Sequence, residues 1–192
     1  MNEPTFVVVT GGPGAGKTAF LELVRRDFGD RVVVLPEAAS ILFSGGFPRH
    51  ESAPARRAAQ RAIYYVEREL ERMAAEEGRS SIILCDRGTL DGLAYWPGSP
   101  GELLAEVGTT LEAELARYAL VIHMRTPPAG NGYDHRNPYR TETPREAERI
   151  DERILEVWSQ HPRRRIVESA DTFMEKVARA LAVLEEEIGP KL

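Results

Sequence analysis

TFVVVTGGPGAGKTAF, Thr5–Phe20, is the stretch on which the whole reading hinges. Its first six residues favour extended backbone, and Phe6–Val9 leave no polar side. A strand wetted on one face would alternate; one buried on both faces, as in a parallel sheet, need not. GGPGAGKT, Gly11–Thr18, comes next, and Phe20, Leu21 and Val24 then recur at helical spacing. Strand, glycine-rich turn and helix in that order satisfy G-x-x-x-x-G-K-[ST] in the context the motif requires. Glycine permits positive φ and lets backbone N–H groups close around phosphate oxygens. The helix behind it points its positive end at the anion. The cradle therefore comprises Gly11, Gly12, Pro13, Gly14, Ala15, Gly16, Lys17, Thr18 and Ala19. Lys17 is expected on the β- and γ-phosphates of ATP, and Thr18 on Mg2+.

Four more strands are expected in RVVVLPE (Arg31–Glu37), SIILCD (Ser81–Asp86), YALVIHMRTPP (Tyr118–Pro128) and RRRIVES (Arg163–Ser169). Helical patterns fill residues 53–77, 101–117, 144–160 and 170–188. In the first, Ala58, Ile63, Val66, Leu70 and Met73 supply an apolar side; in the last, Phe173, Val177, Leu181 and Leu184 should face the sheet. Thr143 reads as an N-cap with Pro144 as first helical residue. Strand–helix alternation predicts an α/β fold in three layers, a five-stranded parallel sheet covered on both faces. Neither a repeat nor a linker divides the 192 residues, so a single domain over 1–192 is expected.

Composition narrows the function classes. The apolar fraction of 42% is ordinary, and no run approaches a membrane span. MNEPTFVVVT lacks the basic start of a secretory leader, and Cys85 has no partner for a disulfide. A cytoplasmic protein is expected. A net charge of −5, without an aromatic–basic platform, argues against nucleic acid. Of the 25 cations only Lys17, Lys176 and Lys191 are lysine, so arginine enrichment by itself points to genomic composition, and only position can mark a phosphate-binding guanidinium.

Two strands end in acids. Asp86, at the tip of SIILCD and followed by Arg87-Gly88, can hold Mg2+ beside Thr18. Glu37 ends the second strand; it can take the proton of an attacking hydroxyl, or simply favour the start of a following helix. Which of Glu37 and Asp86 is the base stays open.

In this order, GGPGAGKT, PEAA, DRG and the RTE segment resemble the AAA_28 group, the NadR-type ATPase domains among the P-loop kinase-like NTPases. The resemblance spans nearly the whole chain. It implies the kinase-like strand order 2-3-1-4-5, binding of ATP and Mg2+, and no particular substrate. The group includes a ribosylnicotinamide kinase domain and a GTP-binding domain of a trafficking protein. A wider similarity to deoxynucleoside kinases implies that Glu37 activates the acceptor hydroxyl and that Arg87 steadies the phosphates or Glu37. Those kinases carry Glu and Ser where this chain has Asp86 and Gly88.

TPPAGNGYDHRNPYRTETP, Thr126–Pro144, is too long and polar for a plain connection and is expected to be an arginine-bearing lid, about residues 126–150. Arg140, then Arg136, are the candidates to neutralise the γ-phosphoryl as the lid excludes water; Glu142 can orient Arg140, and His135 is a weaker phosphate contact. Arg145, Arg149 and Arg153 share a helix face with acidic neighbours and read as a solvated face.

The acceptor is expected after Glu37, near Phe43, Phe47 and Arg49, with Arg57, Gln60, Arg61, Tyr64, Tyr95 and Trp96 as further wall candidates. Tyr64, Tyr65, Arg57 and Arg61 serve equally well as packing and surface residues. The histidines lack metal spacing, and His123 reads as structural. The function expected is transfer of the ATP γ-phosphoryl to a small nucleoside- or nucleotide-like acceptor. The alternative is an NTP-binding or hydrolysing regulatory module acting through a partner. A guanine-reading [NT]-K-x-D element is absent, and the chain is too short for an oligomeric AAA+ motor.

Overall fold

The strands run Thr5–Thr10 (β1), Val33–Leu35 (β2), Ile82–Asp86 (β3), Leu120–Met124 (β4) and Arg164–Val167 (β5). All pairings are parallel and the order is β2-β3-β1-β4-β5, as expected. The structure is a computed structural model that describes residues 4–127, 143–170 and 172–189. The arginine-bearing segment with His135, Arg136, Arg140 and Glu142 lies outside the described residues.

The sheet separates two apolar layers. On one side Val7, Val9, Leu84 and Ile122 pack with Lys17–Phe28 (α1) and Phe173–Ile188 (α7). On the other, Val8, Ile83, Cys85 and Val121 meet Ala53–Glu77 (α3) and Pro144–Val157 (α6). Val7, Val8 and Val9 are each fully buried, which explains the unbroken apolar run of β1. Ala38–Ser44 (α2) starts directly after Glu37, which occupies its N-cap position.

Several boundaries differ from the sequence expectation. Arg31 belongs to a 3-10 turn, Gly29–Arg31, so β2 is shorter than RVVVLPE. The helix expected over 101–117 is two, Pro100–Val107 (α4) and Leu111–Ala116 (α5). Gly108 at φ 72 ends the first in the left-handed region, and Thr110 caps the second by accepting from Ala113 N–H. α6 begins as expected, with Thr143 and Glu146 forming a capping box. Arg145, Arg149 and Arg153 on it are exposed.

Two expected apolar faces are corrected in part: Val177, Leu181 and Leu184 of α7 and Leu70 of α3 do pack against the core. Phe173 does not face the sheet: it is 48% exposed and lies against Gly16. On α3 the buried stripe is Ala59, Tyr64, Glu67, Glu71 and Ala74, while Met73 is exposed. Two carboxylates thus occupy the helix face turned inward.

Gly11 ties the cradle to the sheet. Its φ is 135, and a Cβ there would fall 2.0 Å from the Met124 carbonyl oxygen. Gly11→Ala is expected to cost about 3 kcal/mol or more, or to prevent folding. A urea unfolding midpoint equal to that of the parent protein would contradict the close approach.

Candidate active site

The cradle leaves the C-terminal end of β1, the central strand, and its glycines at 11, 14 and 16 all have positive φ. Gly16 and Lys17 open α1, whose exposed first residues Thr18 and Ala19 face outward. Lys17 is folded over the loop itself, Nζ donating to the carbonyls of Gly11 at 3.0 Å and Gly12 at 3.3 Å. Burial and the neighbouring Arg87 lower its pKa to about 8 against the pull of Asp86 and Glu37. An incoming phosphate offers this ammonium a stronger partner than two neutral carbonyls.

Two other elements brace the loop. Gly12 N–H donates to Asp151 Oδ1 of α6 at 2.8 Å, and that carboxylate also meets His123 Nε2 at 2.9 Å and Arg125 Nε at 3.2 Å. His123 is fully buried, as its mid-strand position suggested. Lys176 of α7 donates to the Ala15 carbonyl at 2.7 Å and to that of Arg125. Pairing alone could not have assigned Asp151 or Lys176, because both read as solvent-facing charges on amphipathic helices.

The second cluster lies at the tips of β2 and β3. Arg87 adopts φ 79, rare for a side chain with a Cβ. From there Nε donates to Glu37 Oε1 at 2.6 Å, while Nη1 donates to Asp91 Oδ2 at 3.0 Å and to the Gly11 carbonyl at 3.2 Å. Asp91 sits in the 3-10 turn Thr89–Ala94 and is 3% exposed. It also accepts from Thr10 Oγ1 at 2.6 Å and Trp158 Nε1 at 2.7 Å. Asp91 carries no motif of its own in the sequence; its four-residue spacing from Arg87 is the signal that marks it. Burial opposes the Arg87 charge, but Tyr95, Glu37 and Asp91 outweigh it and hold the guanidinium firmly protonated.

Glu37 and Asp86 differ sharply in proton affinity. Burial would raise the Glu37 pKa, but Arg87, Lys17 and the Ser40 hydroxyl bring it to about 2. Asp86 is pushed up to about 6, by burial first and by Glu37 and Asp91 against the attraction of Lys17. Its Oδ1 is buried without a hydrogen-bond partner. A hard, unsatisfied carboxylate oxygen that lines the same cavity as the Thr18 hydroxyl is of the donor type that Mg2+ takes. Among the described residues no three His, Cys, Asp or Glu side chains form a metal cage.

A cavity of about 480 Å3 opens from Lys17, Glu37, Asp86 and Arg87. α2 lines it with Phe43, α3 with Gln60, Ile63 and Glu67, and the 3-10 turn with Gly92 and Tyr95. Arg49 lines it too and stacks 5.1 Å over Phe43. The other wall candidates fall elsewhere. Arg57 pairs with Glu102 and stacks on Trp96, and Arg61 pairs with Glu106. Tyr64 donates to Glu114 at 2.8 Å on the far side of α3, and Tyr65 is exposed. Phe47 and Trp96 do not line the cavity.

The AAA domain model of the AAA_28 family matches residues 6–176. The chain belongs to the AAA_28 family. No curated protein matches its sequence. Among solved structures, this AAA_28 chain is similar to NadR protein in complex with NR, at TM-score 0.72 and 16% identity over 97% of the chain. It is also similar to NadR protein in complex with NAD and AMP-PNP, at TM-score 0.64 and 16% identity over 98% of the chain. The chain spans about half the length of these NadR chains, 52% and 51%. Thymidylate kinase from Candida albicans aligns over 99% of this chain and 94% of its own, with TM-score 0.65 and 14% identity. At such identities the likeness establishes the AAA_28 chain as a P-loop kinase-like fold. No helix among the described residues is long and apolar enough to cross a membrane.

Proposed function

We propose that this protein transfers the γ-phosphoryl group of ATP, taken as its Mg2+ complex, to a hydroxyl of a small nucleoside- or nucleotide-like acceptor. The cavity carries this reading. Hydrolysis needs room for one water, whereas the cavity of about 480 Å3 extends from the cradle's Gly14, Lys17 and Thr18 to Phe43, Gln60, Ile63 and Tyr95, remote from it. The ligands named for the NadR structures, NR, NAD and AMP-PNP, support a nucleoside-like acceptor and an adenine nucleotide donor. So does the likeness to a thymidylate kinase.

Each residue then has a task. Lys17 exchanges the Gly11 and Gly12 carbonyls for the donor's β- and γ-phosphates. The N–H groups from Gly14 to Thr18 line the anion site. Thr18 and Asp86 hold Mg2+, which when bound neutralises charge on the β- and γ-oxygens. Glu37, ionised throughout the physiological range, accepts a hydrogen bond from the acceptor hydroxyl and aims its oxygen at phosphorus. A carboxylate with a pKa of about 2 is a weak base. That is sufficient where the transition state is loose and the proton leaves late. Arg87 fixes the carboxylate, and Asp91 fixes Arg87. Arg140 and Arg136 are proposed to complete the charge clamp from the segment outside the described residues.

The test is transfer of labelled γ-phosphate from ATP·Mg2+ to a panel of nucleosides, nucleotides and vitamin-like ribosides. Label is expected on at least one acceptor. Release of inorganic phosphate alone, at a rate no acceptor changes, would instead favour a regulatory NTPase. Glu37→Gln is expected to lower transfer by about 100- to 10,000-fold while ATP affinity stays within about twofold. Full transfer by this variant would remove Glu37 from the reaction.

A further inference from the structure

Glu67 has no part in the mechanism above, yet it is 6% exposed and lines the cavity. Among the described residues its carboxyl makes no hydrogen bond or ion pair, and its oxygens are not sealed from the cavity. Glu71, one turn further along α3 and 2% exposed, shows the ordinary arrangement: it accepts from Tyr118 O–H at 2.7 Å and pairs with Arg117. A carboxyl set in a cavity wall without a protein partner is placed to meet a ligand.

Its surroundings indicate where in the cavity it lies. The charges that act on Glu67 are Asp91, Arg87, Glu37 and Asp86, the groups of the transfer centre, and it acts in turn on Cys85 and Tyr118 behind it. Burial and the three carboxylates outweigh Arg87 and raise its pKa well above the ordinary range. A carboxyl accepts hydrogen bonds and, when protonated, also donates one. Gln60, also on the cavity wall, stands seven residues earlier, about 10 Å along the helix. Apolar side chains on the same wall are Ile63, Ala59, Ala55, Phe43 and Pro48, with Arg49, His50 and Arg56 at its charged part.

We propose that Glu67 is a specificity residue whose carboxyl hydrogen-bonds a second hydroxyl of the acceptor, a few bonds from the hydroxyl that receives phosphate. The acceptor is then a polyhydroxylated molecule of the riboside type, its flatter part directed toward Ile63 and Phe43. This rests on the transfer reading. A second polar group of the acceptor that reaches Glu67 must lie near the attacked hydroxyl, because Glu67 lies near Glu37 and Asp86.

The experiment pairs ribonucleosides and nicotinamide riboside with their 2′-deoxy and 3′-deoxy counterparts, against the parent protein, Glu67→Gln and Glu67→Ala. Transfer gives kcat and KM; calorimetry with AMP-PNP·Mg2+ present gives acceptor binding. For the parent, loss of the hydroxyl that Glu67 holds is expected to lower kcat/KM about 10- to 100-fold, mainly through KM. Glu67→Ala should lose about as much on the riboside and nothing further on the deoxy compound, while Glu67→Gln keeps most of the discrimination. An unpartnered carboxyl is not needed for folding, so the melting temperature of Glu67→Ala should equal or exceed the parent's. Unchanged hydroxyl discrimination in Glu67→Ala overturns the role of Glu67 and leaves transfer standing. Glu67-dependent binding without transfer overturns transfer and leaves the role of Glu67. No binding by any compound overturns both.

Discussion

Asp86→Asn is expected to make the ligand-free protein more stable and to abolish Mg2+-dependent turnover. At pH 7 the native protein holds Asp86 ionised, buried and with an unpaired oxygen. Its pKa of about 6 lies above the reference of 3.8, so the folded chain binds this proton more tightly than the unfolded one. Stability from this group is complete below about pH 3.8 and is lost as pH rises to 6. At neutral pH the shift amounts to at most about 3 kcal/mol, which a neutral amide recovers. For a chain of this size each kcal/mol is about 2–4 °C of melting temperature. The gain of Asp86→Asn should therefore be largest at pH 7 and vanish near pH 4. Nucleotide and Mg2+ should stabilise the parent by mass action but add little to the variant, whose transfer should fall by about 100-fold or more. The parent's kcat/KM for ATP·Mg2+ should show an acid limb near pH 6, where Asp86 of the free protein protonates, and none at the ordinary glutamate value. A destabilised variant at pH 7, or one that keeps its Mg2+ dependence, would sink this account.

Arg87→Ala should be the most damaging exchange in the second cluster. One guanidinium satisfies Glu37, Asp91 and the Gly11 carbonyl, and its side chain is only 12% exposed. Removing it leaves two carboxylates facing each other, one of them 4% exposed. Breaking a buried pair in this way costs about 3–5 kcal/mol. The left-handed backbone at position 87 works in the opposite direction: alanine keeps the φ strain, and glycine relieves about 1 kcal/mol of it. Arg87→Gly should therefore unfold at slightly higher urea than Arg87→Ala, with both far below the parent. Arg87→Lys keeps a charge but not the fork that bridges three acceptors, so it should fall between. In each variant Glu37 loses its main anchor, and transfer should drop by about 100-fold or more even at temperatures where the fold persists. Equal stability of the parent and Arg87→Ala would show that the Glu37–Arg87–Asp91 chain contributes nothing net.

The interior of the site reached the sequence unevenly. Glu37 and Asp86-Arg87 were legible because acids at strand tips have few other reasons to interrupt apolar runs. Arg57 and Arg61 were equally visible but both turn to α4, and Tyr64 turns to Glu114 of α5 on the far side of α3. Helical periodicity placed the α3 stripe one position away, on Ala58, Ile63 and Val66, since hydropathy assigns glutamate to solvent. Burial of Glu67 and Glu71 is decided by what faces them: a cavity in one case, Tyr118 and Arg117 in the other. The same blindness hid Asp91, Asp151 and Lys176, charged residues whose partners are backbone groups and side chains remote along the chain.

The sequence by itself determined the parallel α/β fold, the cradle on β1 and the two acidic strand tips. These depend on local signals: a doubly apolar strand, glycines where φ must be positive, a helix start behind them. Tertiary structure alone decided which charges meet. It set the Glu37–Arg87–Asp91 chain, left Asp86 Oδ1 without a partner, and turned Gln60 and Glu67, but not Tyr64, toward the cavity. The physical reason is range. Backbone preference and hydrophobic period act over a few neighbours, while the protonation and pairing of a buried group depend on side chains that folding brings together from distant parts of the chain.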